Sequence, residues 1–281
     1  MSHGADILIT GIPRSGTTLV CSILGEQSDV VAAHEPIDPG EFGQNIDVTK
    51  AMTTIRAAMK NLRHSIDSEG LIVSKQNGGR IPTNSVDSTS DHKLRREVTR
   101  LGSIAVEQPL SEKFILAVKH NALFTSLLSQ LMEEYPVYAI VRNPLAVLHS
   151  WQTVDFPISK GRIPMGERFD SQLSQILDQE VDVLARQLEI LNWFFKSFRS
   201  RLIDGRTLRY EEIISSQGEA LSQILGRSVR SRTILRAQFQ ARKLQVDQAV
   251  VLRDALLRRP EIYEDFYRSS EIRHMFEAEF V

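Results

Sequence analysis

The sequence predicts an α/β fold: a parallel β-sheet flanked by helices and followed by a helical C-terminal part. Short apolar runs alternate with stretches of helical periodicity, which is typical of βαβ units. A glycine-rich turn joins the first apolar run to the first helix. Of the 281 residues, 42% are hydrophobic and 25% are charged, values that are ordinary for a globular chain. We expect a single domain over residues 1–281.

Each element follows from the spacing of its apolar residues. Compact apolar runs predict strands at residues 7–10, 30–33, 71–73, 114–118, 137–141 and 207–210. Apolar residues at three- and four-residue spacing predict helices at residues 17–25, 48–66, 123–134 and 171–198, with a further helix from Pro144. Residues 76–92 are rich in Asn, Gly, Ser, Thr and Asp, and they predict a flexible insertion that could close over a ligand.

Charge and cysteine content exclude several classes of function. With 34 Lys+Arg against 35 Asp+Glu, the net charge of −1 argues against a general nucleic-acid-binding protein. No run approaches the roughly 18 apolar residues of a membrane span. The first six residues lack the basic segment of a secretory signal, and the single cysteine, Cys21, excludes an intrachain disulfide. We therefore expect a cytoplasmic protein without a membrane or nucleic-acid partner.

The turn after the first predicted strand has the spacing of a phosphate-binding loop. Residues 11–18 read G-I-P-R-S-G-T-T, which matches the Walker A pattern G-x-x-x-x-G-K-[ST] except that Thr17 stands in place of the lysine. The backbone amides of such a turn bind an anion without the lysine, and Arg14 supplies a positive side chain inside the turn. The sequence therefore predicts a P-loop-type sheet whose loop binds a phosphate group.

A second candidate anion site follows a later strand. Arg142 comes directly after the predicted strand at residues 137–141. Asn143 and Pro144 then begin a helix that contains Ser150. An arginine fork and a serine hydroxyl both donate hydrogen bonds to phosphate, and ligands of parallel sheets lie beyond the carboxyl ends of the strands. Two such sites at two strand ends predict a ligand with phosphate groups at opposite ends.

Three segments resemble the sulfotransferases that use 3′-phosphoadenosine 5′-phosphosulfate (PAPS). Residues 13–19 (P-R-S-G-T-T-L) resemble the 5′-phosphosulfate loop of that family, and residues 142–150 resemble its 3′-phosphate motif. Residues 208–213 (L-R-Y-E-E-I) resemble a family segment near the adenosine. The resemblance implies a five-stranded parallel sheet and the transfer of a sulfuryl group to a hydroxyl or amine without a metal.

The resemblance also implies roles for individual residues. Those that would bind the 5′-phosphosulfate share the first turn: Arg14, Ser15, Gly16, Thr17 and Thr18. Arg14 would in addition stabilise the charge that grows on the leaving group during catalysis. Arg142 and Ser150 would bind the 3′-phosphate, and Tyr210 would contact the nucleotide near its adenosine.

The acceptor hydroxyl needs a group that takes its proton. Glu35 follows the second predicted strand in the segment Ala33-His34-Glu35-Pro36, which is similar to the carbohydrate and tyrosyl-protein branches of the family. We therefore expect Glu35 to be the catalytic base. His120 is the rival candidate, because Lys119 and His120 follow the strand at residues 114–118, near where the aryl branch carries its lysine and histidine.

Sequence alone leaves three functions open. The first is transfer of a sulfuryl group from PAPS to a hydroxyl of a carbohydrate or small-metabolite acceptor. The second is a P-loop kinase or nucleotidase with an altered loop, although the missing Walker lysine and the missing Walker B aspartate disfavour it. The third is a non-catalytic protein that binds a nucleotide on the same scaffold.

Overall fold

Seven strands form two sheets in the described part of the chain, which comprises residues 4–43, 47–87, 94–203, 205–237 and 245–280 of a computed structural model. The strands are β1 (Asp6–Gly11), β2 (Val30–His34), β3 (Leu71–Gln76), β4 (Arg100–Ala105), β5 (Ile115–Lys119), β6 (Val137–Val141) and β7 (Thr207–Arg209). Five of them form a parallel sheet in the order β2-β5-β1-β6-β7, and β3 and β4 form a separate antiparallel pair. The predicted α/β fold with a five-stranded parallel sheet is therefore confirmed.

Helices cover both faces of the parallel sheet. Within the described ranges they are α1 (Thr17–Gly25), α2 (Val48–Glu69), α3 (Ala122–Ser126), α4 (Leu128–Met132), α5 (Pro144–Gln152), α6 (Pro164–Phe169), α7 (Ser171–Gln179), α8 (Val183–Arg201), α9 (Tyr210–Ser215), α10 (Ser222–Leu225), α11 (Val246–Leu257) and α12 (Ser269–Phe280). Adjacent side chains of β1 point to opposite faces, so Leu8 packs with α2, α5 and α8, whereas Ile9 packs with α1 and α9. Among these helices, none combines the length and the apolar character that crossing a membrane requires.

The chain leaves β1 and β6 in opposite directions, which opens a crevice between these two strands. From β1 it passes through α1 to β2 on one side, and from β6 it continues to β7 on the other. Ligands of open α/β sheets bind in such a crevice, at the carboxyl ends of the strands. The turn after β1 and Arg142 after β6 therefore flank the position where a ligand is expected.

The long helix predicted over residues 171–198 is wrong in one respect, because two helices, α7 and α8, replace it. Glu180 and Asp182 between them have extended backbone. The carboxylate of Asp182 accepts a hydrogen bond from the amide of Ala185 at 2.8 Å, and a cap of this kind begins a new helix. The apolar spacing continues across the break, so the period alone does not reveal it.

Three other boundaries differ from the prediction. The helix predicted over residues 123–134 is two short helices, α3 and α4, which Leu127 separates. The strand predicted over residues 71–73 extends to Gln76 because it pairs with β4. β4 itself is largely exposed and therefore lacks the apolar run by which a strand is recognised. Tyr210 begins α9 instead of ending β7.

The insertion predicted at residues 76–92 is described in part. It contains β-bridges between Asn77 and Arg80 and between Val86 and Glu97. Residues 88–92 lie outside the described residues. That this segment forms a flexible flap stays a prediction.

Replacing Asp182 with Ala should lower the free energy of unfolding by about 1 kcal/mol, because the first turn of α8 loses its capping acceptor. Urea denaturation measures the change. Asp182→Asn is the matched control: it keeps a side-chain oxygen for the amide of Ala185 and should cost only a few tenths of that value. Equal losses in the two variants would contradict the capping role.

Candidate functional site

A cavity of about 660 Å³ lies at the carboxyl ends of the parallel strands. Its volume is within the range of ~300–1,000 Å³ that is usual for small-molecule sites. Nine of the ten candidate residues identified in the sequence line it: Arg14, Gly16, Thr17, Thr18, Glu35, His120, Arg142, Ser150 and Tyr210. The fold thus brings together residues that are spread over most of the chain.

Ser15 is the candidate that faces away from the cavity. Its hydroxyl donates to the carbonyl of Ile140 on β6 at 2.8 Å, and its amide donates to the carbonyl of Ile12 at 3.0 Å. The amide of Ile12 donates in turn to the same carbonyl of Ile140, at 3.2 Å. Ser15 is completely buried and fastens the turn to the neighbouring strand.

Two glycines of the turn have no space for a side chain. A Cβ at Gly11 would lie 2.5 Å from the carbonyl oxygen of Ile140, and one at Gly16 would lie 2.5 Å from the ring of Tyr210. Gly16 also has a φ of 91°, a left-handed backbone conformation that favours glycine. α1 begins at the next residue, and the amides of a first helical turn have no partners within the helix. The turn therefore provides backbone donors for an anion.

Two guanidinium groups contact Ser150, and a third adjoins one of them. Nε of Arg14 donates to Oγ of Ser150 at 3.2 Å, and Nη2 of Arg95 donates to the same oxygen at 3.3 Å. Arg142 donates to the backbone carbonyl of Arg14 at 3.4 Å, and its guanidinium lies 4.4 Å from the centre of the Tyr210 ring. The two anion sites that the sequence assigned to opposite ends of a ligand therefore adjoin through Arg14 and Ser150.

In this arginine cluster (Arg14, Arg95 and Arg142), Arg14 and Arg95 donate hydrogen bonds to neutral side chains. Neither Arg14 nor Arg95 forms an ion pair within the described ranges: besides the serine, Arg14 donates to Asn84 at 3.1 Å and Arg95 to Thr153 at 2.5 Å. Burial, together with the charges of Arg95 and Arg142, lowers the pKa of Arg14 to about 9. Burial lowers the pKa of Arg95 as well. An anion in the cavity would relieve this repulsion.

Residues of the C-terminal part form hydrogen bonds with the beginning of α5. The carboxylate of Glu211 accepts hydrogen bonds from the amide of Asn143 at 2.9 Å and from the hydroxyl of Tyr267 at 2.8 Å. Arg209 forms an ion pair with Glu271, whose backbone carbonyl accepts a hydrogen bond from the side chain of Asn143 at 3.2 Å. The C-terminal helices, for which the sequence offered no role, thus orient the helix that carries Ser150.

Glu35 lies between two ammonium groups at the end of β2. One of its carboxylate oxygens is 2.7 Å from Nζ of Lys119, and the other is 3.0 Å from Nζ of Lys75. His34 and Lys119 are register partners in neighbouring strands, which explains why Glu35 and Lys119 meet. Lys75 reaches the site from β3 and also pairs with Glu97 at 2.9 Å. We call Glu35, Lys75 and Lys119 the carboxylate–lysine cluster.

The carboxylate of Glu35 is ionised. Burial alone would raise its pKa, but the positive charges of Lys119 and Lys75 outweigh burial and hold the pKa of Glu35 well below its usual range. The backbone at Glu35 has a φ of 47° and that at Arg14 a φ of 73°, both in the left-handed region. Strain of this kind in residues other than glycine is concentrated at functional sites.

Two buried histidines border the carboxylate–lysine cluster. Nε2 of His120 accepts a hydrogen bond from the amide of Ile37 at 3.2 Å, which occupies the lone pair that a base would use. His34 is 2% exposed, and neither of its ring nitrogens has a hydrogen-bond partner among the described residues. Burial lowers the pKa of His120 to about 3 and that of His34 to about 2, so both rings are neutral near pH 7.

Comparison with models of protein families assigns the chain. The model described as "Sulfotransferase family" matches residues 6–227. The chain belongs to the sulfotransferase family. The matched region includes the turn after β1, Glu35, Lys119 and the site at Arg142 and Ser150, and it extends past the segment 208–213.

Comparison with solved structures finds two sulfotransferases. Sulfotransferase STF1 from Mycobacterium tuberculosis H37Rv is 12% identical, with a TM-score of 0.35, over 79% of this chain and 67% of its own. Sulfotransferase STF9 from Mycobacterium avium is 11% identical, with a TM-score of 0.35, over 99% of this chain and 76% of its own. Among curated proteins the chain has no match. The family assignment therefore rests on the family model.

Three basic residues of this sulfotransferase-family site were not recognised in the sequence. Arg95 precedes β4 in an irregular segment, and Lys75 lies on a strand that was predicted to end at residue 73. Arg236 lies in the C-terminal part, for which the sequence offered no role, and it lines the cavity. None of them follows a strand of the parallel sheet, so no positional signal distinguishes them from other surface charges.

The free energy of unfolding should fall as the pH is lowered from about 6.5 to 5. His34 and His120 stay neutral in the folded state, whereas the unfolded chain protonates them below about pH 6.5. The unfolded state then binds more protons, so acid destabilises the protein by up to ~1.4 kcal/mol per pH unit for each histidine. Urea denaturation across this range measures the slope.

His120→Gln is the control for this pH dependence. It removes one titrating group and should reduce the slope by the contribution of one proton. An unchanged slope in His120→Gln would show that this histidine is protonated in the folded state.

Proposed function

We propose that this member of the sulfotransferase family transfers the sulfuryl group of PAPS to a hydroxyl of a carbohydrate or small-metabolite acceptor. The observation that carries the proposal is the convergence of the amide-rich turn and the arginine cluster on one cavity. Because Arg14 and Arg95 have neutral partners in the described part of the chain, the site favours a ligand with more than one anionic group.

The donor groups fit a nucleotide that carries phosphates at its 5′ and 3′ positions. The amides of the turn and the hydroxyls of its two threonines suit the 5′-phosphosulfate. Arg142, Arg95 and Ser150 suit the 3′-phosphate, since guanidinium groups bind phosphate through paired hydrogen bonds. Tyr210 holds Arg142 by a cation–π contact and packs against Gly16, so it links the two groups of donors.

PAPS, when bound, supplies the sulfuryl group and a phosphate leaving group. Arg14 and the turn amides would stabilise the negative charge that grows on the bridging oxygen as the S–O bond breaks. Lys119 ends β5, which lies between β1 and β2; its ammonium group pairs with Glu35, and the residue lines the same cavity as the turn. It is 2% exposed, and its charge is little screened by water. Lys119 would therefore pair with the sulfuryl oxygens during transfer.

Glu35 would take the proton of the acceptor hydroxyl. It is ionised, as a proton acceptor must be, whereas His120 would first have to release the amide of Ile37. These contacts favour Glu35 over His120. A carboxylate between two ammonium groups is a weak base, and the transfer of Lys119 from Glu35 to the sulfuryl oxygens would strengthen it.

Transfer without a metal ion stays a prediction, as do the cytoplasmic location, the single domain and the absence of a nucleic-acid partner. No three His, Cys, Asp or Glu side chains are grouped to hold a metal within the described ranges. In phosphoryl transfer, Mg²⁺ and lysine supply the positive charge that the arginine cluster and Lys119 would supply here.

Two measurements test the proposed function directly. Isothermal titration calorimetry should show that 3′-phosphoadenosine 5′-phosphate (PAP) binds more tightly than AMP, which lacks the 3′-phosphate. Radiolabelled PAPS should then donate its label to acceptor hydroxyls without added metal. Absence of PAP binding, or magnesium-dependent turnover of ATP, would overturn the proposal.

Glu35→Gln should reduce kcat by about 100-fold or more while the affinity for PAPS stays nearly unchanged, because the amide cannot take a proton. Radiolabel transfer measures kcat, and calorimetry measures affinity. Glu97→Gln is the matched control, since it also removes a carboxylate from Lys75 but leaves the base, and its effect should stay below about tenfold. Near-normal turnover of Glu35→Gln would transfer the role of base to His120.

Arg142→Ala should weaken binding of PAPS by about 10- to 100-fold, because a charged hydrogen-bond donor to the 3′-phosphate is lost. Affinity for adenosine 5′-phosphosulfate, which lacks that phosphate, should be unchanged. Arg206→Ala, which removes an arginine outside the cavity lining, is the control for net charge. Equal losses for the two nucleotides would mean that Arg142 does not read the 3′-phosphate.

A further inference from the structure

The order of the strands divides the cavity into two ends. The arginine cluster lies over β1 and β6, and the carboxylate–lysine cluster lies over β2 and β5. Neighbouring strands are about 4.8 Å apart, so the end of β2 is roughly 14 Å from the end of β6. If PAPS occupies the side of β1 and β6, the acceptor must approach Glu35 from the side of β2. We call this side the acceptor end.

Apolar side chains from three segments line the acceptor end. Ile37 follows Glu35, Leu123 belongs to α3, and Ile163 and Met165 lie at the beginning of α6. α6 packs against α3, and Arg168 of α6 donates to the carbonyl of Pro39 at 3.1 Å. These contacts join the three segments into one wall.

Leu101 extends this apolar wall from β4. It is the register partner of Lys75, so both side chains lie on the same face of the two-stranded sheet. Lys75 reaches Glu35, and Leu101 lines the same cavity. Leu101 is 46% exposed, so an apolar group in the cavity can contact it.

Several of the polar groups at the acceptor end already have partners. Arg162 pairs with Glu167 and Asp178, and the Nε2 atom of His120 accepts from a backbone amide. Within the part of the chain that the structure describes, the ring nitrogens of His34 have no hydrogen-bond partner. A carbohydrate presents hydroxyls in several directions, and those that met the apolar wall would lose their hydrogen bonds to water without replacement. One hydroxyl on an apolar body would leave no such group unpaired.

We infer that the acceptor is an alcohol or phenol in which a single hydroxyl is carried by an apolar body, and that carbohydrates are poor acceptors. This inference rests on the proposed function. In the transfer, the acceptor oxygen forms a bond to sulfur, and the bond from sulfur to the 5′-phosphate oxygen breaks. Its electron pair leaves with PAP, and the hydroxyl proton passes to Glu35. The products are a sulfate monoester and PAP.

The test compares two classes of acceptor with the full-length protein. Calorimetry with PAP comes first, and radiolabel transfer from PAPS to 2-naphthol and 1-hexanol is then compared with transfer to glucose, trehalose and N-acetylglucosamine. We expect kcat/KM for the apolar acceptors to exceed that for the sugars by at least about 100-fold. Sugars that match or exceed the apolar acceptors would overturn the inference and leave the proposed function intact. PAP binding without transfer to either class would overturn both.

Leu101→Gln tests the apolar wall itself. Because Leu101 is exposed, the variant should fold normally, and KM for 2-naphthol should rise at least about fivefold while the affinity for PAP is unchanged. Leu94→Gln is the matched control, since Leu94 is 45% exposed but does not line the cavity, and it should change neither quantity. An unchanged KM in Leu101→Gln would contradict the assignment of this wall to the acceptor.

Discussion

Repulsion among the guanidinium groups at the ends of β1 and β6 is the constraint on which the rest of the site depends. The fold holds these groups together by giving them neutral acceptors, namely the side-chain oxygens of Asn84, Ser150 and Thr153. The indole of Trp151 donates to the carbonyl of Pro13 at 2.8 Å and so joins α5 to the turn. The turn after β1, the arginine cluster and α5 therefore form one hydrogen-bonded unit, which reduces the reorganisation that binding of an anion would require.

The carboxylate–lysine cluster connects the two ends of the cavity electrostatically. Lys119 pairs with Glu35 and lines the same cavity as the turn, so an anion over β1 would compete with Glu35 for its ammonium group. Lys75 remains on the other carboxylate oxygen and keeps Glu35 oriented. Under the proposed function, an anion at the turn would draw Lys119 away from Glu35, and Glu35 would become a stronger base when the sulfuryl group is present.

Sequence reasoning succeeded where the parallel sheet dictates position. Central strands that helices cover on both faces must be apolar throughout, so they stand out, and ligand-binding residues follow them directly. Glu35 and Arg142 were found in this way. The sequence did not predict the direction of each side chain. Ser15 is next to Arg14, yet its hydroxyl points to β6. The position of Arg95 in the site could not be predicted either, because only tertiary contacts bring its irregular segment to Ser150.

The remaining differences between the predicted and the observed elements arise from hydrogen bonds that apolar periodicity does not reveal. Asp182 interrupts an apolar period because its carboxylate caps a new helix, and the spacing on either side is the same as in an unbroken helix. β4 is half exposed, so its pairing with β3 leaves no apolar run. Both features depend on which backbone groups find partners, and this information is distributed over the fold.

The left-handed backbone at Arg14 and Glu35 has an evolutionary consequence. Glycine would adopt these φ angles of 73° and 47° without strain, whereas each side chain present costs of order 1 kcal/mol or more. Glycine at both positions would therefore relieve backbone strain but would remove a cation and a carboxylate from the cavity. Selection for thermal stability alone would favour glycine at these two positions. Retention of Arg14 and Glu35 in related chains would therefore indicate selection for what the two side chains do in the cavity.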